Sequence, residues 1–158
     1  MQVEELMTQA IQCCSPRDSL EHAAAVMWSS DCGCVPVCET DGGSRTVGVV
    51  TDRDICMCAL FQGKPLRELN VSDAMAREVV AVRPNDSLES AERAMQDARI
   101  RRLPVIDEQG SLVGILSLSD IAREAARQQT SPRRGLTETE VNDTLAAICQ
   151  PNSGPLIA

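Results

Sequence analysis

Aromatic side chains are almost missing from this chain: one tryptophan (Trp28), one phenylalanine (Phe61) and no tyrosine in 158 residues. That excludes the stacked aromatic platforms on which single-stranded nucleic acids are read. It also means that any packed interior is built from Val, Leu, Ile, Ala and Met. Basic charge is in short supply as well. A formal net charge of -8 argues against a phosphate-backbone partner. No apolar run approaches the roughly 18 residues of a membrane span, and Met1-Gln2-Val3-Glu4-Glu5 has neither the basic nor the apolar region of a signal peptide. The expectation is a soluble cytoplasmic protein without a membrane partner. Histidine occurs once, as His22. With no nucleophile-and-base constellation and no Gly-rich phosphate loop, the chain is not expected to be an enzyme or to hold a catalytic cofactor.

What is present is a hydrophobic content of 43%, enough for one compact domain or for two small units sharing a core. Eight cysteines, at 13, 14, 32, 34, 38, 56, 58 and 149, are many for such a chain. None forms Cys-x-x-Cys, and His22 falls in a different predicted element from the paired cysteines, so no metal ligand is assigned. Buried free cysteine also serves simply as a small hydrophobe.

The strongest pattern is internal repetition. Pro16-Arg17-Asp18-Ser19-Leu20-Glu21 matches Pro84-Asn85-Asp86-Ser87-Leu88-Glu89, 68 positions on (Pro16 against Pro84), and Met7/Met75, Met27/Met95 and Pro36/Pro104 keep that register. After Pro36 the offset falls to 66 (Gly48 against Gly114), because the first copy has a turn two residues longer between Glu39 and Arg45. Gly48-Val49-Val50-Thr51-Asp52-Arg53-Asp54-Ile55 is then echoed by Gly114-Ile115-Leu116-Ser117-Leu118-Ser119-Asp120-Ile121. Each reads as a buried strand running into a helix whose N-terminus a hydroxyl caps.

Within each copy the elements follow in order. Cys13-Cys14 and Val79–Val82 are short extended segments. Asp18 or Ser19, and Asp86 or Ser87, cap a helix whose apolar stripe is Leu20, Ala23, Ala24 and Met27, or Leu88, Ala91 and Met95. Val35-Pro36-Val37 and Leu103-Pro104-Val105-Ile106 open a strand, with proline implying an edge or first-residue position. A turn follows (Asp41-Gly42-Gly43, Glu108-Gln109-Gly110), then the strand and helix of the repeated corner. The unit is β-α-β-β-α. Residues 3–62 make the first repeat, 63–70 a connector broken by Pro65, and 71–127 the second repeat; 128–136 is a polar linker. Residues 137–150 form a C-terminal helix with a Thr137-Glu138-Thr139-Glu140 capping box, a stripe of Val141, Leu145 and Ile148, and a stop at Pro151.

A tandem β-α-β-β-α unit with a hydrophobic-Pro-Val strand, a Gly-hydrophobic-hydrophobic-Thr/Ser-x-x-Asp corner and Pro-x-Asp-Ser-Leu ahead of its first helix resembles the CBS domain, named after cystathionine β-synthase. The resemblance implies an α/β (α+β) fold of two repeats related by a pseudo-two-fold axis, with two clefts between them. It further implies that the clefts bind adenosine-containing ligands (AMP, ADP, ATP or S-adenosylmethionine), that pairs associate into homodimers, and that such modules regulate an attached or partner protein rather than catalyse.

On that resemblance, Asp54 and Asp120 match the carboxylates that take a ribose diol, with Thr51 and Ser117 offering hydroxyls at the same helix N-termini. Adenine is expected against Val35-Pro36-Val37 or Leu103-Pro104-Val105. Phosphates require cations, which Arg53, Arg101 and Arg102 can supply. The copies differ here: Arg53 has no counterpart, and Arg101-Arg102 answers to Gly33-Cys34. The corners also serve as N-caps whatever else they do. The capping box prefers Glu or Gln at its last position, and a shorter carboxylate reaches back less well, so Asp at both corners points to a further task.

Cys13 or Cys14 lies on an element that packs beside Cys38, which makes a disulfide between them a candidate, although thiols of the cytosol are normally reduced. Two alternatives stand beside the nucleotide-sensing reading: an interaction module with empty clefts, and a cysteine-based redox or metal sensor.

Overall fold

Two antiparallel hairpins, each flanked by helices, organise the computed structural model, which describes residues 1–9, 11–39, 45–128 and 138–149. The first copy runs α1 (Leu20–Ser29), β1 (Cys34–Glu39), β2 (Arg45–Thr51) and α2 (Asp52–Gln62). A one-turn helix α3 (Val71–Ala74) precedes the second copy, α4 (Leu88–Ala98), β3 (Arg102–Ile106), β4 (Leu112–Ser117) and α5 (Leu118–Gln128); α6 (Glu138–Ile148) closes the order. The turn at Asp41-Gly42-Gly43, the linker beyond residue 128, the capping box that begins at Thr137 and the stop at Pro151 lie outside the described residues. Among the described residues no helix is long and apolar enough to cross a membrane.

The expected first strand of each copy is reduced to a single parallel bridge, Cys14 with Val37 and Val82 with Val105. The Cys14 N–H donates to the Pro36 carbonyl at 3.0 Å and the Cys38 N–H to the Cys14 carbonyl at 2.8 Å. Proline then ends this ladder, since it has no N–H to pair with a preceding residue. Pro36 and Pro104 are therefore not on a free edge. Each is third in its strand, with its missing donor turned toward the side where pairing stops.

Helix starts follow local chemistry. Ser19 and Ser87 are the caps, each accepting an N–H at 3.1 Å, from His22 and Ser90. Asp18 and Asp86 instead close the preceding turns, accepting the N–H of Ser15 and of Arg83 at 2.7 Å.

The two copies are joined by a reciprocal exchange. Val3, at the start of the chain, belongs to the second copy's core, while Leu69, Val71 and Met75 belong to the first copy's. Backbone bonds repeat the arrangement in both directions. Val3 and Glu4 donate to the carbonyls of Asp86 and Pro84, and Val71 and Ser72 donate to those of Asp18 and Pro16. Thr8 and Ile115 exchange two bonds across β4, as Ala76 and Val49 do across β2. Each copy's interior thus needs the segment that precedes the other. The hairpins meet as well, Thr46 donating to the Gly110 carbonyl at 3.0 Å.

Glycine permits that approach. A Cβ on Gly48 would lie 2.9 Å from the Ala76 carbonyl oxygen and 2.9 Å from Met75 Sδ. On Gly114 it would meet Met7 Sδ at 2.6 Å and the Thr8 carbonyl oxygen at 3.2 Å.

α6 packs on α4 and α5. Its buried face is not the stripe expected from Val141, Leu145 and Ile148. Val141 and Ile148 do pack on the second core, but the position between them is Thr144, fully buried, whereas Leu145 is 44% exposed. A buried polar pair decides the rotation: Gln96 Nε2 donates to Thr144 Oγ1 at 2.8 Å, and the hydroxyl faces Glu92 Oε1 at 3.5 Å.

Gly48→Ala is expected to lower stability by about 1–3 kcal/mol, because its clash includes rigid backbone. Gly114→Ala should cost less, since its nearest obstacle is the flexible end of Met7. Urea unfolding of both variants checks this; an unchanged midpoint for Gly48→Ala would remove the close-approach account.

Candidate ligand site at the strand-to-helix corners

β2 ends on Thr51 and β4 on Ser117, and in each case the chain turns directly into a helix. Thr51 Oγ1 accepts the Asp54 N–H at 3.2 Å and donates to Asp54 Oδ2 at 2.6 Å; the same carboxylate oxygen accepts the Thr51 N–H at 3.0 Å. Ser117 and Asp120 repeat this at 3.2, 2.6 and 2.8 Å. Aspartate therefore reaches back to the cap without difficulty. The expectation that its shorter side chain reaches back less well is overturned: a threonine or serine hydroxyl held against the carboxylate draws the box tight, and one oxygen satisfies it. What bears on a ligand is the other oxygen.

There the copies part. Asp120 Oδ1 is taken by the Arg123 guanidinium, and the residue is buried. Met57 stands at the matching place in α2, and among the described residues Asp54 Oδ1 has no partner. The first corner thus presents a half-buried carboxylate with an open acceptor at the start of α2, where the N–H groups of residues 51–54 are already taken within the corner and by Gly33. The Asp52 N–H donates to the Gly33 carbonyl at 3.2 Å, and the Leu118 N–H to that of Arg101 at 2.9 Å, tying each corner to the loop ahead of β1 or β3.

Of the arginines, Arg102 is the one whose charge reaches Cys34, at the start of β1 and paired with Thr51. Burial pushes the Cys34 thiol from an ordinary 9.0 to about 11, and Arg102 is the largest charge acting on it, in the opposite direction, ahead of Cys32, Asp54 and Asp52. Cys34 and Arg102 occupy matching positions in the two copies, so the strand starts approach one another across the pseudo-two-fold. Arg53 and Arg101 are exposed and extend no side-chain bond among the described residues. The side chains of Val35, Val37, Leu103 and Val105 lie inside the two cores, and Pro36 and Pro104 are buried too. Strands covered on both faces have backbone, not those side chains, to offer a base.

A family model of the CBS domain matches residues 3–59 and 71–127. The chain belongs to the CBS domain family. Among its relatives, the CBS domain-containing protein YhcV of Bacillus subtilis is 38% identical over 120 residues, 76% of this chain and 82% of that one. Hypoxic response protein 1 of Mycobacterium tuberculosis is 30% identical over 147 residues, 93% of both chains. Its crystal structure, described as having two coordinated zinc ions, superimposes with a TM-score of 0.70 at 31% identity over 78% of this chain and 98% of that one. CBSX2 in complex with AMP gives 0.70 at 28% identity, over 81% of this chain and 98% of that one.

The cysteines of this tandem CBS module are thiols in the structure. Of the proposed disulfide residues, Cys13 and Cys14 both lie near enough to Cys38 to act on its thiol, and Cys14 also stands beside Asp18 and His22. Burial pushes Cys14 up to about 11, with Asp18, Cys13 and Cys32 adding to the shift, and pushes Cys38 up to about 12. Cys14, Asp18 and His22 also bring their ligand atoms within 4.8 Å of one another. Sequence reading passed over this triad because it looked for Cys-x-x-Cys; the signal was a spacing of four, across a turn and into a helix. It likewise passed over Arg123, recoverable by setting the copies side by side at an offset of 66.

Thiols whose folded-state pKa is raised bind protons that the unfolded chain has already lost. Stability is therefore expected to be intact below about pH 9 and to fall progressively between pH 9 and 12, as Cys14, Cys34 and Cys38 are ionised more readily in the unfolded chain. Urea midpoints across that range check it, and replacement of the three by alanine or valine should flatten the fall.

Proposed function

We propose that this CBS pair is a non-catalytic regulatory module that binds an adenosine-containing ligand of the AMP, ADP, ATP or S-adenosylmethionine class at its first corner, and acts as a homodimer. The observation that carries the reading is the open Oδ1 of Asp54, set against the Arg123-occupied Oδ1 of Asp120. A carboxylate oxygen without a partner at a helix N-terminus suits the hydroxyls of a ribose. Thr51 holds that carboxylate in place. Arg102, reaching the same corner from the other copy, suits a phosphate, with Arg53 at the rim. The AMP complex of CBSX2 supports the ligand class.

Support for the dimer comes from a face left uncovered. On α4 and α5 the helical face is covered by α6. On α1 and α2 the chain's two aromatics are exposed, Trp28 at 90% and Phe61 at 79%, with Leu60 at 68%. Their counterparts in the second copy are Gln96, Arg127 and Ala126. A second copy presenting the same apolar face across a two-fold axis would bury it. Ligand-dependent change in the angle between copies, passed to that interface, is the proposed output.

Calorimetry with AMP, ATP and S-adenosylmethionine is expected to find one dominant site. Asp54→Ala should weaken it about 10- to 100-fold, corresponding to one charge-assisted hydrogen bond or two, and Asp120→Ala by less than about threefold. Arg102→Ala should weaken AMP but not adenosine. Equal losses from the two aspartates, or no binding by the unaltered protein, would sink the assignment. In sedimentation equilibrium the protein is expected as a dimer, and Trp28→Glu with Phe61→Glu as a folded monomer; a monomeric parent would contradict the interface.

A further inference from the structure

Beyond the corner, the first copy gathers a sulfur, an imidazole and a carboxylate that the second copy does not. We propose that Cys14, Asp18 and His22 form a binding site for a borderline-soft divalent cation of the zinc type. Their three ligand atoms lie within 4.8 Å of one another. In a tetrahedral zinc site the ligand atoms stand roughly 3.3–3.8 Å apart, so closure needs a shift of about 1 Å, available to the exposed side chain of His22. Mixed thiolate, imidazole and carboxylate donors match zinc better than magnesium or calcium, which require oxygen throughout.

The chain carries its own control. Asp86 repeats the turn made by Asp18, each accepting a backbone N–H at 2.7 Å through one carboxylate oxygen, Oδ2. Where the first copy has Cys14 and His22, the second has Val82 and Ser90. Val82 makes the same bridge with the hydrogen bonds of Cys14, and Ser90 sits on the same helix turn as His22. The fold therefore requires the carboxylate and neither the thiol nor the imidazole. Those two residues are added to a structural turn whose carboxylate keeps its second oxygen for a metal.

The three ligands come from three places: a bridged strand, a turn and the first turn of α1. An ion held by all three would pin the N-terminus of α1 to β1 through Cys14. The fourth position goes to water, with Cys13 and Cys32 the next thiols at hand. Binding displaces the Cys14 proton and stabilises only the folded chain. It is separate from the proposed nucleotide site, which lies at the Thr51 end of β2.

The test uses metal-stripped full-length protein under reducing conditions, titrated with zinc alone and, as a spectroscopic probe, with cobalt(II) alone. One equivalent of zinc is expected to raise the melting temperature, and cobalt to give the strong visible bands of a tetrahedral site with a thiolate charge-transfer band. Cys14→Val and His22→Ser install the second copy's own residues. Cys14→Val should abolish the charge-transfer band, and His22→Ser should weaken zinc at least about tenfold, since even the outer partners of a metal ligand are worth that much. Should Cys14→Val fold poorly, the exposed His22→Ser variant decides alone. Absence of saturable zinc binding, or an affinity unchanged by His22→Ser, overturns the proposal.

Discussion

Neither copy can close its own core. Val3 fills a place among Leu88, Met95 and Leu103, while Leu69, Val71 and Met75 fill the equivalent place among Leu20, Met27 and Val35. With aromatics excluded, these aliphatic cores depend on many small contacts, and removing one contributing segment would open a cavity worth several kcal/mol. The exchange therefore couples the two copies into one folding unit. It requires backbone to lie on backbone, and Gly48 and Gly114 are the residues whose missing Cβ makes room. Everything proposed for ligand binding rests on this geometry. It brings the start of β3, with Arg102, to the start of β1, with Cys34 and the first corner behind it.

On that symmetric scaffold, the positions that carry chemistry are those where the copies disagree. Met57 leaves Asp54 with an open oxygen, where Arg123 closes off Asp120. Trp28, Leu60 and Phe61 leave α1 and α2 apolar outside, where the second copy is polar or small and lies under α6. Cys14 and His22 add donors to a turn that Asp86 shows to be sufficient with a carboxylate alone. Identical backbone frames with unequal side chains separate what the fold needs from what this protein adds to it.

Buried thiols are a second departure of the first copy. Cys14 and Cys38 stand where the second copy uses Val82 and Ile106. Burial holds both in the protonated form near neutral pH, so as ordinary core residues they are inert. Only a metal, or movement of the strand that carries Cys14, would make that thiol available.

Much of the fold was legible in residue order because its signals are local. Proline before Asp-Ser-Leu, the helical spacing of Leu20, Ala23 and Met27, and the hydroxyl-to-Asp corner each act within a few residues, and appearing twice they identify a tandem repeat of the CBS kind. The capping chemistry of Thr51 and Ser117 is likewise local, although residue order does not show how closely each hydroxyl draws the aspartate back onto the cap. What residue order could not decide is which surfaces meet. The exchange of leading segments, the rotation of α6 onto Thr144, the burial of Val35 and Val105 from both sides and the approach of Arg102 to Cys34 all join residues far apart in the chain. Such contacts are chosen by packing density and by the satisfaction of buried polar groups, quantities that belong to the assembled interior and to no short stretch of sequence.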